Sequence, residues 1–242
     1  MTRIKRKPGE KPRLPIIGKI KCGMKHPEKG YPMSVDHFIP TGRYAPLFQK
    51  HFGDKPKLLP VIFIEDGEAK QCEERYEYRD RSGSLYAYGD GEFFFVWNGK
   101  EYEMFLLEDH PDLMERVHQK VQAPKPWSVT LTLRFVIPGL PVVGLWQFTT
   151  KGEASTIPNI VGSFDAILEH NGTVKGILWD LSVAFAKSQK PGEKSRYPVV
   201  DLVPNNDPDR LEEVKTVLLN QGKLLTQSTP KKLQSYEPEE TD

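Results

Sequence analysis

The chain has no long apolar run, no dominant charge of one sign and very little cysteine. No stretch reaches about eighteen consecutive apolar residues, and no apolar segment follows the basic N-terminus, so the sequence predicts neither a membrane span nor a signal peptide. Lys and Arg number 34 against 33 Asp and Glu, which argues against binding to nucleic acid through net charge alone. The 2 cysteines, Cys22 and Cys72, are too few for a disulfide framework, and we expect free thiols in a cytoplasmic protein.

Recognisable catalytic and cofactor motifs are also missing from the sequence. No Gly-x-Ser-x-Gly elbow is present to expose a nucleophilic serine, and the glycines fall at predicted hairpin turns rather than in a phosphate-binding loop. Cys22 and His26 are spaced like two zinc ligands, but no second pair would complete a tetrahedral site. We therefore predict no catalytic, cofactor-binding or metal-binding residue. A metal-dependent hydrolase is kept as an alternative that stoichiometric bound metal would support.

Charge is distributed unevenly between the ends of the chain. Ten basic side chains against Glu10 and Glu28 precede Gly30, and prolines oppose regular structure in residues 1–15. Residues 229–242 are acidic and poor in apolar side chains. We predict that both ends are disordered. The basic arm either contacts DNA phosphates or serves only as a solubilising tail, and the sequence favours neither reading.

Between these ends, hydrophobic periodicity predicts an α+β protein of antiparallel β hairpins and meanders packed with a few helices. We divide it into a β-rich region at 16–122 and an α+β region at 127–228. The predicted strands are 16–22, 58–64, 74–78, 84–88, 92–97, 100–106, 128–136, 143–150, 173–186 and 195–203, with a short buried segment at 33–40. Two helices are predicted at 44–52 and 157–169. A third is capped by Asp109 and ended by Pro124, and a fourth opens at Asp207.

Aromatic residues are dense between Tyr76 and Tyr102. On a sheet such residues could stack bases, but their alternation also suits a core with cross-strand aromatic pairs, and we favour the core. Alternation places Tyr76 with Tyr78, and Tyr86 with Tyr88, on common faces. Because an exposed tyrosine face is a common protein-binding surface, we predict a partner-binding surface. Its residues are Tyr76, Tyr78, Arg79, Arg81, Tyr86 and Tyr88.

Three stretches of the chain together resemble the recombination directionality factor-like family of phages and integrative elements. The first is the segment 17–23 (IGKIKCG) followed by 32–38 (PMSVDHF), the second is 140–152 (LPVVGLWQFTTKG) continuing through Ile157 and Pro158, and the third is 182–202. The resemblance covers roughly residues 14–203. This chain departs from the family's pattern in the middle, where actinophage relatives have a cysteine-containing segment and only Cys72 is present.

The resemblance implies a non-enzymatic accessory protein in a bacterial host cell. Such a protein binds a large serine integrase on its attachment sites and switches it from integration (attP × attB) to excision (attL × attR). The physical basis would be a population shift, since a partner that prefers one arrangement of the integrase favours that synaptic geometry. The alternative is a single-strand nucleic-acid-binding module of a phage or mobile element that uses the aromatic sheet and the basic arm.

Overall fold

The structure, a computed structural model, describes residues 14–66, 71–125, 127–188, 192 and 195–205, and the single positions 207, 209, 212 and 216. The described residues up to Asn205 belong to the first of two units into which the chain divides. Nearly all of the predicted basic arm, the predicted acidic tail and nearly all of the helix predicted to open at Asp207 lie outside the described residues.

The elements of the first unit confirm the predicted α+β class. The strands are β1 (Ile16–Lys25), β2 (Pro32–Thr41), β3 (Leu58–Ile62), β4 (Cys72–Arg79), β5 (Leu85–Gly89), β6 (Phe93–Trp97), β7 (Tyr102–Leu106), β8 (Ser128–Phe135), β9 (Leu145–Thr150), β10 (Leu178–Lys187) and β11 (Arg196–Pro204). The helices are α1 (Ala45–Phe52), α2 (Leu113–Val121) and α3 (Thr156–Asn171).

The strands form two sheets. The larger has eight strands in the order β2-β1-β9-β8-β4-β5-β6-β7, and the smaller has three in the order β11-β10-β3. Strands β4 to β7 are the antiparallel meander that the sequence predicts. Strands β1 and β9 pair in parallel, a contact that no hairpin signal indicates. The predicted regions 16–122 and 127–228 therefore share both sheets, because β8 and β9 lie between β1 and β4 and β10 pairs with β3.

The larger hydrophobic cluster joins one face of the eight-stranded sheet to the three-stranded sheet, α1 and α3. Trp146 of β9 and Trp179 of β10 are almost completely buried in it. Phe63, Phe164 and Trp179 form an aromatic trio with ring-centroid distances of 5.2, 5.8 and 6.4 Å. Burying a large apolar side chain contributes roughly 1.5–3 kcal/mol, so these rings are a main source of stability.

A second, smaller cluster lies under the meander. Leu113 and Val117 of α2 are four residues apart, share one helix face as the sequence predicts, and are buried there. They pack against Tyr78, Ala87 and Phe94 of β4, β5 and β6. The helix thus covers the part of the eight-stranded sheet that the three-stranded sheet does not reach.

Several predicted boundaries differ from the structure by two to five residues, and local hydrogen bonds explain two of them. The helix predicted to begin after Asp109 begins at Leu113, because backbone bonds from His110 N to Leu107 O and from Leu113 N to His110 O first form turns. The strand predicted from residue 173 begins at Leu178. Asp66 Oδ1 accepts hydrogen bonds from Thr173 Oγ1 and from the backbone of residues 174 and 175, which holds them outside the ladder.

The parallel contact between β1 and β9 depends on a missing side chain. Gly18 pairs with Trp146, and a Cβ atom at residue 18 would lie 2.3 Å from the buried indole ring. We expect Gly18→Ala to lower the free energy of unfolding by about 1–3 kcal/mol through overpacking. Urea unfolding followed by tryptophan fluorescence measures this.

The matched control is Gly162→Ala in α3, where a Cβ atom would meet nothing within 4 Å. This change should raise the free energy of unfolding by up to about 1 kcal/mol, because alanine is the better helix former. Equal destabilisation by the two substitutions would contradict the close approach of β1 to Trp146.

Candidate binding surface on the open sheet face

Only one face of the eight-stranded sheet contacts the two hydrophobic clusters. Cys72 of β4 belongs to the larger cluster and Tyr78 of the same strand belongs to the smaller one. The two residues are six positions apart, so their side chains lie on the same face of the strand. The opposite face, called the open face here, is formed by the alternate residues Glu73, Arg75 and Glu77 and by their register partners. Within the described part of the chain, neither cluster includes residues of that face.

A row of alternating charges crosses the open face from β8 to the end of β4, and we call it the charge ladder. It consists of Arg134, Glu73, Arg75, Glu77 and Arg79. Glu73 accepts from Arg134 Nη2 at 2.5 Å and from Arg75 Nη1 at 3.1 Å. The three arginines exceed the two glutamates, so the ladder has a surplus of positive charge.

Glu77 lies at the centre of the ladder and its side chain is only 3% exposed. One oxygen accepts from Arg75 Nε and Nη2 at 3.0 and 2.7 Å, and the other accepts from Arg79 Nε and Nη2 at 3.1 and 2.8 Å. Burial by itself would raise the pKa of Glu77, but these charge-assisted hydrogen bonds outweigh it and hold the pKa below its usual value. The carboxylate therefore stays ionised and fixes both guanidinium groups.

Beyond the ladder, the open face of the meander carries an aromatic patch, defined as Tyr88, Phe95, Trp97, Tyr102 and Met104. The register pairs Tyr88 with Phe95, Phe95 with Met104, and Trp97 with Tyr102, so the five side chains share one face. Tyr88 stacks on Phe95 at 5.0 Å, and the Arg75 guanidinium lies 5.1 Å from the Tyr88 ring centroid. Met104 is 59% exposed and Tyr102 is 38% exposed.

A basic cleft of about 540 Å³ opens where β4 ends and β8 begins. Its cations are Arg79, Arg81, Lys125 and Lys151, and its acids are Glu77 and Asp80. Both acids already have partners within the protein. Glu77 is held by the ladder arginines, and Asp80 Oδ1 accepts hydrogen bonds from the backbone N–H groups of residues 82 and 84 in the β4–β5 turn.

The structure distributes the six predicted partner-binding residues over different environments. Tyr88 lies in the aromatic patch, Arg79 in the charge ladder, and Arg81 at the cleft, where its Nε donates to Gln122 O at 3.3 Å. Tyr76 is 37% exposed on the clustered face and contacts Phe94, and Tyr86 is half-buried against the smaller cluster. The six side chains therefore do not form one continuous surface.

Tyr78 is a correction to the predicted surface, because its side chain is fully buried. Its ring packs against Trp127 and His118, and its hydroxyl lies 2.8 Å from His118 Nδ1. The same hydroxyl accepts a hydrogen bond from the backbone N–H of Ala123 at 3.1 Å. Tyr78 is thus a core residue that fixes the end of α2. Alternation correctly placed it with Tyr76 but could not tell which face is buried.

Sequence reasoning assigned no role to several residues that define the surface. In the sequence, Arg75 is one cation among Glu73, Glu74 and Glu77, and Phe95, Trp97 and Tyr102 belong to an aromatic run. Lys151 is 70 residues after Arg81 in the chain, and only the pairing of β9 with β8 brings it to the cleft. The sequence signal that could have identified these residues is the two-residue period of β4 and β6, because it separates the side chains of one sheet face from those of the other.

The thiols and histidines considered for catalysis or zinc binding have other surroundings. Cys72 is buried, and burial raises the pKa of the Cys22 thiol to about 12. His26 Nδ1 accepts hydrogen bonds from the backbone N–H groups of Glu28 and Lys29 within a turn. Among the described residues, no group of three His, Cys, Asp or Glu side chains could hold a metal ion. No helix within the described residues is long and apolar enough to cross a membrane.

The open sheet face of this α+β fold carries aromatic and arginine side chains, which are residue types enriched in protein interfaces. The chain belongs to the Gp3-like, recombination directionality factor-like family, whose model matches residues 17–205. This confirms the family that the sequence motifs resemble and supports a recombination-related role. No curated protein and no solved structure matches the chain significantly.

The buried position of Tyr78 predicts that its hydroxyl matters for stability. Tyr78→Phe should lower the free energy of unfolding by about 1–2 kcal/mol, because the Ala123 N–H loses its acceptor in a buried environment. Tyr76→Phe is the matched control, since the structure shows no hydrogen bond of the Tyr76 hydroxyl to any described residue. Chemical denaturation of the two variants tests the assignment, and equal stability of both would contradict it.

Glu77→Gln should lower the free energy of unfolding at pH 7 by about 1–3 kcal/mol, because a buried carboxylate between two guanidinium groups is lost. The folded pKa of Glu77 lies below its usual 4.5. Its contribution is therefore full above roughly pH 5 and is lost as the pH falls through the folded pKa. Denaturant unfolding from pH 7 down through the folded pKa should show that the free energy of unfolding depends less on pH in the variant than in the unmodified protein. Glu101→Gln in the exposed β6–β7 turn is the control and should resemble the unmodified protein.

Proposed function

We propose that this protein is a recombination directionality factor that binds a large serine integrase and switches it from attP × attB to attL × attR recombination. The observation that carries the proposal is the extent of the family match. It covers residues 17–205, and it ends at Asn205, the residue at which the first compact unit ends. The match therefore reaches every strand of both sheets rather than one local motif.

The aromatic patch is the proposed contact for the integrase. Large half-exposed rings that are held in place by their neighbours lose little conformational entropy on binding, and such residues dominate the energetics of protein interfaces. Tyr102 is fixed by its hydroxyl, which donates to Leu85 O at 2.7 Å, and by contacts with Trp97 and Tyr88 at 5.3 Å each. The patch lies at the edge of the sheet, because β7 is its last strand.

The packing of these rings favours a protein partner over stacked bases. A nucleic-acid-binding sheet presents free aromatic faces on which successive bases stack. The Tyr88 ring instead stacks on Phe95 and lies beneath the guanidinium of Arg75. The alternative of a single-strand nucleic-acid-binding module is therefore the weaker candidate.

Recombination assays with the serine integrase encoded near the gene test the proposal directly. Paired attachment-site substrates are incubated with integrase, with and without this protein. We expect activation of attL × attR together with inhibition of attP × attB. Unchanged recombination of both pairs by an active integrase would overturn the proposal.

Met104→Glu should weaken the switch without unfolding the protein, because the side chain is 59% exposed at the patch. A charge placed in an apolar interface should raise the protein concentration for half-maximal attL × attR activation by at least about fivefold. Val143→Glu is the matched control, since Val143 is also 59% exposed but lies outside the patch, in the loop before β9. A larger effect of Val143→Glu would place the integrase contact elsewhere.

A further inference from the structure

The basic cleft combines cations from separate parts of the chain at one end of the eight-stranded sheet. Arg79 ends β4, Arg81 lies in the next turn, Lys125 lies just before β8, and Lys151 follows β9. They meet because β8 is antiparallel to both neighbours, so that Glu77 lies opposite Ser128 and Thr150 lies opposite Leu131. The four cations exceed the acids Glu77 and Asp80 by two charges.

Donor groups at the cleft remain available after the internal hydrogen bonds are counted. Arg81 uses only Nε among the described contacts, in its bond to Gln122 O. Lys151 Nζ donates to Ser128 Oγ at 2.8 Å and has further N–H groups to donate. Lys125 is exposed, and its ammonium has no hydrogen bond or ion pair to any described residue.

The electrostatics of Lys151 indicate a surplus of positive charge. Burial lowers the pKa of Lys151, Arg79 and Lys125 lower it further by repulsion, and only Glu77 acts in the opposite direction. An anion bound at the cleft would relieve this repulsion. The preference of the site is thus for a ligand with negative charge.

The composition of the cleft favours a phosphate backbone over an acidic protein segment. Protein interfaces are anchored by apolar or aromatic residues at their centre. The aromatic residue of the cleft, Trp127, is already engaged, because its Nε1 donates to Met114 O and its ring packs against Tyr78 and Phe94. Arg, Lys and Ser are the side chains that contact DNA phosphates without reading base sequence.

We propose that the basic cleft formed by Arg79, Arg81, Lys125 and Lys151 binds the phosphodiester backbone of DNA. The contact is independent of base sequence and of the aromatic patch. It does not require the basic N-terminal arm or a bound integrase. It would hold the protein on DNA while the aromatic patch remains free for a protein partner.

Fluorescence anisotropy of a labelled 30-base-pair duplex, titrated with the full chain without integrase, tests the proposal. With four phosphate contacts, the logarithm of the binding constant should fall with the logarithm of salt concentration with a slope of about −3 to −4. The double substitution K125E/K151E should weaken binding by roughly tenfold or more at low salt and reduce the steepness of the slope by about 2. Absence of binding by the unmodified chain at low salt would overturn the proposal.

The control is K50E/K55E, which makes the same change in net charge at exposed lysines on and just after α1. Equal weakening by the two double variants would show that the effect comes from overall charge and would overturn the assignment to the cleft.

If circular dichroism shows that K125E/K151E does not fold, Lys125→Gln alone should reduce the steepness of the salt slope by about 1. Binding of poly-L-glutamate that DNA cannot displace would identify an acidic protein ligand instead. Excision assays with Met104→Glu report on the integrase contact separately, so the two proposals can fail independently.

Discussion

The arrangement of this protein depends on the one-sided burial of an eight-stranded sheet. The three-stranded sheet, α1 and α3 cover the clustered face near β1, β9 and β8, and α2 covers it under the meander. Because both clusters lie on the same face, each strand of the large sheet contributes alternate residues to the core and to the open face. The core and the surface proposed for binding therefore use different side chains of the same strands.

This division lets the open face accommodate groups that a core would not tolerate. Glu77 is nearly buried, but its four hydrogen bonds from two arginines offset the cost of removing the charge from water. The ladder also positions its neighbours, because Arg75 lies over Tyr88 and Arg79 reaches the basic cleft. A single network therefore connects the aromatic patch to the cationic end of the sheet.

Local patterns in the sequence predicted most elements, because their signals are short-range. The Asn98-Gly99 turn marks the β6–β7 hairpin, the spacing of Leu113 and Val117 marks α2, and Gly172 ends α3 in the left-handed conformation. Boundaries failed where a distant residue competed for the backbone. Asp66 takes the donors of residues 173–175 and delays the start of β10 by five residues.

The sequence by itself determined the α+β class, the meander and the family, since turn residues, two-residue alternation and ordered motifs are properties of the chain. Only the tertiary structure decided which face of each strand is buried. Tyr78 and Tyr88 look alike in the sequence, but one closes the core against α2 and the other lies in the aromatic patch. The pairing of β8 with both β4 and β9 likewise brings Lys151 beside Arg79. The proximity of residues 72 positions apart depends on sheet order, which local side-chain patterns do not encode.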